Sequence, residues 1–225
     1  MPGNPRTVEP AASANAIEAP GLVHAFLPAH AKAEALRDFI EELSRTLSEA
    51  LDTSVLLADF YTRGFPLWSP GRRHPERLDG RTRGALLHRG PSYDTLEARE
   101  ARPSQIPGVL DRARQRYQIT CADLSEAPEP SCVQILRCAD SVFLVSSDDA
   151  ISLELVKHKT GWLDTIGLAE NTGLLLSRTT GGAGAAEVEE RTGLPVCALI
   201  DSHEELCRLA SWLAFRPRQA PALAS

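Results

Sequence analysis

The chain has 225 residues, 43% of them hydrophobic and 24% charged, with a net charge of −6. That length suits one large domain with a well-buried core rather than two, and the acidic balance argues against general affinity for nucleic acid. No apolar run approaches the roughly 18 residues that a membrane span needs.

Residues 1–20 are rich in Ala, Pro, Asn and Glu without periodicity, and they read as a disordered arm; 217–225 read as a flexible tail. No basic-then-apolar leader is present in this stretch, so a cytoplasmic chain is expected. The five cysteines (Cys121, Cys132, Cys138, Cys197, Cys207) form no CxxC pair, and the six histidines show no HxH or HxxxH spacing. Free thiols and no metal site are therefore expected.

Between the two tails the pattern is strand, helix, strand, repeated. Leu22–Leu27 is an apolar run closed by Pro28. From Lys32 to Leu51, the residues Leu36, Phe39, Ile40, Leu43, Leu47 and Leu51 recur at helical spacing, with acids and Arg37 off the stripe. Ser54–Phe60 is a strand ending beside Asp59. A helix over 109–117, a strand over 118–123 ending in Asp123, and a helix over 131–139 follow. Then come a strand over 141–146, a helix over 150–166 with a stripe of Ile151, Leu155, Trp162 and Ile166, and a strand over 172–177. A short helix over 185–192, a strand over 195–200 and a helix over 203–215 complete the order. Continuous apolar strands alternating with helices predict an α/β fold: a doubly wound, mainly parallel sheet with helices on both faces, in one domain over 21–216. Ligands of such sheets sit beyond the carboxyl ends of the strands, where Asp59 and Asp123 fall.

The stretch 62–118 stands apart. It carries twelve arginines against six acids, and so is locally +6 inside an acidic chain. Its arginines read either as a solvated face with local pairs or as a dock for an acidic surface. Arg72, Arg73, Arg77 and Arg81, with Trp68 as an aromatic anchor, are the candidate partner contacts. The Gly-rich loop 179–184 follows a strand and precedes a helix, but it lacks GxGxxG spacing and reads as a plain loop.

The ordered set VLLADF, ITCADLSEAP, ADSVFLVSSDDAISL, GLLLSRTTGG and TGLPVCALIDSHEEL resembles the MinD/ParA group of P-loop ATPases, and most closely its CpaE-like members. The resemblance implies a P-loop NTPase-like fold. It also implies a phosphate loop between Leu27 and Phe39, where this chain reads PAHAKAEALRDF and has no glycine and no Gly-Lys-Ser/Thr ending. Backbone N–H groups converge on phosphate only where φ > 0 is available, which Ala and Glu supply poorly. Lys32 lies near the position of the family's additional loop lysine.

The resemblance further implies that Asp59 matches the first acid of the family's DxD, with Tyr61 at the second. It places Asp123 at the acid that positions magnesium through water, Ser177-Arg178 at a base-reading pair, and Asp201 in a base-contact loop. Strand-end acids also cap the turn that follows them, and the residues alone leave both roles open. The expectation is a pseudo-ATPase with vestigial Asp59, Asp123, Lys32, Ser177, Arg178 and Asp201 and with no cofactor. It would serve as a protein-binding scaffold or regulator in a positioning, secretion or pilus-assembly type of system. Its partner would be an active homologous ATPase or a second copy in a dimer. The alternative is an active Mg-dependent ATPase with an aberrant loop, using ATP and Mg; a small-ligand domain on the same sheet is a third reading.

Overall fold

The computed structural model describes residues 20–29, 33–60, 76–78, 85–98, 101–125, 127–178 and 182–215. Most of the N-terminal arm and the C-terminal tail of the sequence reading therefore lie outside the described residues. The elements in chain order are β1 (Leu22–Pro28), α1 (Ala33–Leu51), β2 (Val55–Asp59), β3 (Glu76–Arg77), β4 (Leu86–His88), β5 (Asp94–Glu97), α2 (Ile106–Arg116), β6 (Ile119–Asp123), α3 (Glu129–Cys138), β7 (Ser141–Ser147), α4 (Ala150–Thr165), β8 (Thr172–Ser177), α5 (Ala185–Thr192), β9 (Val196–Ile200) and α6 (His203–Phe215).

Among the described residues the strands form one nine-stranded sheet in the order β3-β4-β5-β2-β6-β1-β7-β8-β9. Neighbours from β5 to β9 pair in parallel, and β4 runs antiparallel to both β3 and β5. The doubly wound, mainly parallel sheet is as expected. The antiparallel extension β3–β5 was not, because two- to four-residue strands such as Asp94–Glu97 are too short to display alternation.

Strands buried on both faces explain the unbroken apolar runs. Along β1, Val23, Ala25 and Leu27 point into one core with Leu110, Ile135, Leu153 and Val156, while Phe26 points into the other with Leu36, Ile40, Leu43 and Leu47. The second core is closed by Leu206, Leu209 and Leu213 of α6, which lies beside α1.

Two packing expectations are corrected. In α1, Leu36, Ile40, Leu43 and Leu47 are fully buried, but Phe39 and Leu51 are only partly so; Phe39 sits at the rim, its ring edge-on to Phe26. In α4 the expected stripe points the wrong way. The buried residues are Ser152, Leu153, Val156 and Leu163, whereas Ile151 is 75% and Leu155 39% exposed.

Several arginines of the 62–118 stretch are structural. Arg114 donates to the carbonyls of Gly21 (2.9 Å) and Cys138 (2.6 Å) and pairs with Asp140, which also accepts the Val23 N–H (2.8 Å). Arg89 pairs with Asp94, the acceptor of the Tyr117 hydroxyl (2.7 Å); burial, then that hydrogen bond, pushes the Tyr117 phenol up. The described cysteines are free, and burial pushes the Cys121 thiol up to about 12 and Cys132 to about 11.

Asp149 starts α4 as an N-cap, accepting from the N–H groups of Ile151 and Ser152 (both 3.0 Å) and from Ser147 Oγ. Hydrogen bonds from Ser147 and Ser152 lead in holding its carboxyl down at about 2, below the ordinary 3.8. A depressed folded-state value stabilises the fold above the ordinary value, and that contribution is lost as pH falls through the lowered one. Asp149→Ala is therefore expected to cost about 0.5–2 kcal/mol at neutral pH. Urea midpoints of variant and wild type should converge as pH falls from the ordinary value towards 2; a gap that persists at the acid end would contradict this role.

Candidate functional site

The register of the central strands sets the site. On the neighbouring strands β2 and β6, Asp59 and Asp123 are direct partners, so both carboxylates emerge at the same level of the carboxyl edge. Next to β6 lies β1, and α1, which follows β1, brings Arg37 across to them. Arg37 Nη2 is 3.3 Å from Asp59 Oδ2, and its Nε is 3.7 Å from Asp123 Oδ2. The two acid side chains are 2% and 4% exposed, and the Arg37 side chain 28%.

Two carboxylates this buried and this close repel one another unless a cation stands between them. Here the cation is covalently part of the chain. A planar guanidinium with several fixed donors suits two acceptors on adjacent strands. Asp123 takes the capping role: Oδ1 accepts from the Ser125 N–H (2.8 Å) and hydroxyl, forming the turn after β6, while Oδ2 faces Arg37. Asp59 has its carboxylate turned to Arg37, and its backbone carbonyl accepts from Ala98 N–H (2.9 Å).

Arg37 is the site residue that the sequence reading missed. The signal was present: an arginine one turn into the helix that follows β1, Leu36 or Arg37 being where the resemblance puts the hydroxyl of the phosphate loop. Its meaning depends on β2 and β6 being neighbours, which residue spacing does not reveal.

The other expected site residues divide. Lys32 lies outside the described residues. Ser177, exposed at the end of β8, pairs in register with Ser147 and Ile200. Arg178 Nη1 and Asp201 Oδ2 approach to 3.8 Å, so the ends of β8 and β9 do meet there. Both side chains are about half exposed, and such a pair contributes little stability. Ser177 ends β8 and Arg178 follows it, three strands from β6, a distance of about 14 Å at normal strand spacing. They form a separate group from Arg37, Asp59 and Asp123. Arg72, Arg73, Arg81 and Trp68 lie outside the described residues, and Arg77 falls in β3.

The described end of the Gly-rich loop is closed down on an acid. Ala183 N–H donates to the Asp148 carbonyl (3.1 Å), and a Cβ on Gly182 would stand 2.0 Å from the Asp148 carboxyl carbon. A buried carboxyl pressed against the loop opposes an anion there, in keeping with a plain loop.

No protein-family profile and no curated protein matches the sequence. Solved structures do. A ParA family ATPase from Chlorobium tepidum TLS aligns with a TM-score of 0.64 at 16% identity, over 85% of this chain and 91% of that one. MinD in the MinC:MinD cell division protein complex of Aquifex aeolicus aligns with a TM-score of 0.60 at 14% identity, over 84% and 86%. The septum site-determining protein MinD complexed with Mg-ADP, from Pyrococcus horikoshii OT3, aligns with a TM-score of 0.59 at 14% identity, over 83% and 86%. The matches cover 83–85% of the chain, and on them the chain has the fold of the MinD/ParA-type P-loop ATPases.

Proposed function

We propose that this chain is a degenerate MinD/ParA/CpaE-like pseudo-ATPase, acting as a protein-binding scaffold or regulator in a positioning, secretion or pilus-assembly type of system. The observation that carries the reading is Arg37, whose guanidinium lies between Asp59 and Asp123 at the carboxyl edge of the sheet.

A magnesium nucleotide does not fit these residues. A divalent ion at the two acids would have to displace a covalently tethered cation that already faces both of them. The segment 28–37 offers no glycine for a phosphate cradle, and Glu34 brings negative charge to the start of α1, which suits the helix dipole and repels phosphate. What remains is a sheet whose carboxyl edge carries its own cation. A relative by fold, MinD of Aquifex aeolicus, is found in complex with the protein MinC, so binding another protein is within the reach of this architecture. The positive surplus of 62–118 suits an acidic partner surface.

The test is a steady-state ATPase assay with magnesium on the full chain, alongside thermal melts with and without Mg-ATP. No turnover and no stabilisation are expected. Turnover that disappears in Asp123→Ala would reverse the reading in favour of an ATPase with an aberrant loop.

A further inference from the structure

β1 lies between β6 and β7, and its own helix leaves to the opposite side of the sheet from theirs. α1, which follows β1, packs in the core with α6, whereas α3 after β6 and α4 after β7 pack in the other core. On that other face α3 leans on α2 and α4 on α5. Between α3 and α4, at the carboxyl end of β1, a cleft of about 370 Å³ stays open. Neighbouring strands whose helices leave to opposite faces part in this way, and the gap at their carboxyl ends is where doubly wound sheets hold ligands. The volume falls within the roughly 300–1,000 Å³ of small-molecule sites.

The lining is divided. Leu27, Leu124 and Cys132 make a floor buried from solvent. Burial pushes the Cys132 thiol up to about 11, so the floor carries no charge at neutral pH. The half-buried Trp162 indole is one wall, oriented by its N–H, which donates to Glu129 Oε1 (3.4 Å). That bond also engages Glu129, the only acid among the lining residues. At the rim stands Lys159, half-buried and near enough for its charge to act on the Cys132 thiol. Its neighbour Lys157 pairs with Glu154, but Lys159 has no ion pair among the described residues. A half-buried ammonium without a counter-ion is poorly solvated, and an anion entering the cleft would supply its partner.

We propose that this cleft binds a small aromatic carboxylate, its mono- or bicyclic ring against Trp162 and the apolar floor and its acid group on the Lys159 ammonium. A flat ring suits an indole wall, since aromatic pairs gain beyond the area they bury. A cationic ligand would meet Lys159 with like charge, and a neutral one would leave the ammonium as it is. The site lies on the face of the sheet opposite α1, which carries Arg37. It therefore needs neither a phosphate loop nor the acids Asp59 and Asp123, and it goes beyond the pseudo-ATPase reading without resting on it.

The experiment is calorimetric titration of the full chain with naphthoate, and with naphthamide as its uncharged counterpart. Naphthoate is expected to bind at a single site, at least about tenfold more tightly than the amide, the ordinary worth of a hydrogen bond between charged groups. Lys159→Gln should bring naphthoate down to the level of the amide and leave the amide unchanged. Trp162→Ala should weaken both by at least about tenfold, because it removes the wall that both rings use. Melting temperatures without ligand check that each variant is folded, and Lys159→Gln, at a half-buried rim position, decides the matter alone should Trp162→Ala not fold. No binding of naphthoate at millimolar concentration, equal affinity for acid and amide, or naphthoate binding unaltered in Lys159→Gln would overturn the proposal.

Discussion

Arg37→Ala is expected to destabilise the protein by about 3–5 kcal/mol, the usual cost of removing one partner from a buried ion pair. The side chain itself is 28% exposed, so little of the loss comes from packing. It comes from what is left behind: Asp59 and Asp123 are register partners on adjacent strands, each almost completely buried, and both face the vacated position. Neutralising the acids as well should recover much of the loss. In a cycle of Arg37→Ala against Asp59→Asn with Asp123→Asn, the combined variant is expected to be more stable than the sum of the separate effects predicts, with a coupling above about 0.5 kcal/mol. Urea midpoints supply every corner of the cycle. An Arg37→Ala protein within about 0.5 kcal/mol of wild type would behave like an ordinary surface change, and the guanidinium could then not be the cation that holds the two acids.

Leu43→Ala is the second large effect, at about 2–5 kcal/mol. Leu43 is fully buried in the core between the sheet and the α1–α6 pair, with Leu36, Ile40 and Leu47 above and below it on the same helix face. Fully buried neighbours on α1 and the sheet hold their places around the missing methyl groups, and that places the cost towards the upper half of the range. Phe39→Ala, although it removes a larger side chain, is expected to cost less than Leu43→Ala because its ring is partly solvated at the rim. Guanidinium midpoints of the two variants decide the order, and the reverse order would mean that Phe39 is covered more fully than its position at the rim implies.

The difference between Leu43 and Phe39 shows where sequence periodicity stops. Spacing identified α1 and the face it presents, since Leu36, Ile40, Leu43 and Leu47 repeat at helical intervals with charge opposite. It did not distinguish the centre of that face from its edge, because the edge is set by how far α6 reaches across, and α6 lies far away in sequence. In α4 the same method chose the wrong face. Ile151, Leu155 and Trp162 form a credible stripe, but so do Leu153, Val156 and Leu163, and only the sheet beneath decides between them. The large parallel strands were legible because burial on both sides writes itself as an uninterrupted apolar run. β3 and β4 were not, being too brief to carry a pattern. The candidate site was half legible: strand-end acids mark the carboxyl edge, while the arginine that joins them acquires its role only from strand order.

That strand order has a consequence for how the chain acquires its structure. β1 and β2 are the first two of the described strands in chain order, yet they do not pair with each other, because β6 inserts between them, with Leu22 opposite Ile119 on one side and Val55 opposite Ile119 on the other. The first strand–helix–strand unit therefore holds open a slot one strand wide until a much later segment fills it. Closing a loop of that length precedes the contacts that reward it, which slows the search. During synthesis, the ribosome has to deliver the whole stretch through Asp123 before the middle of the sheet exists. Until then β1 and β2 present bare hydrogen-bonding edges, the surfaces on which a nascent chain is open to mispairing with its neighbours or to capture by a chaperone.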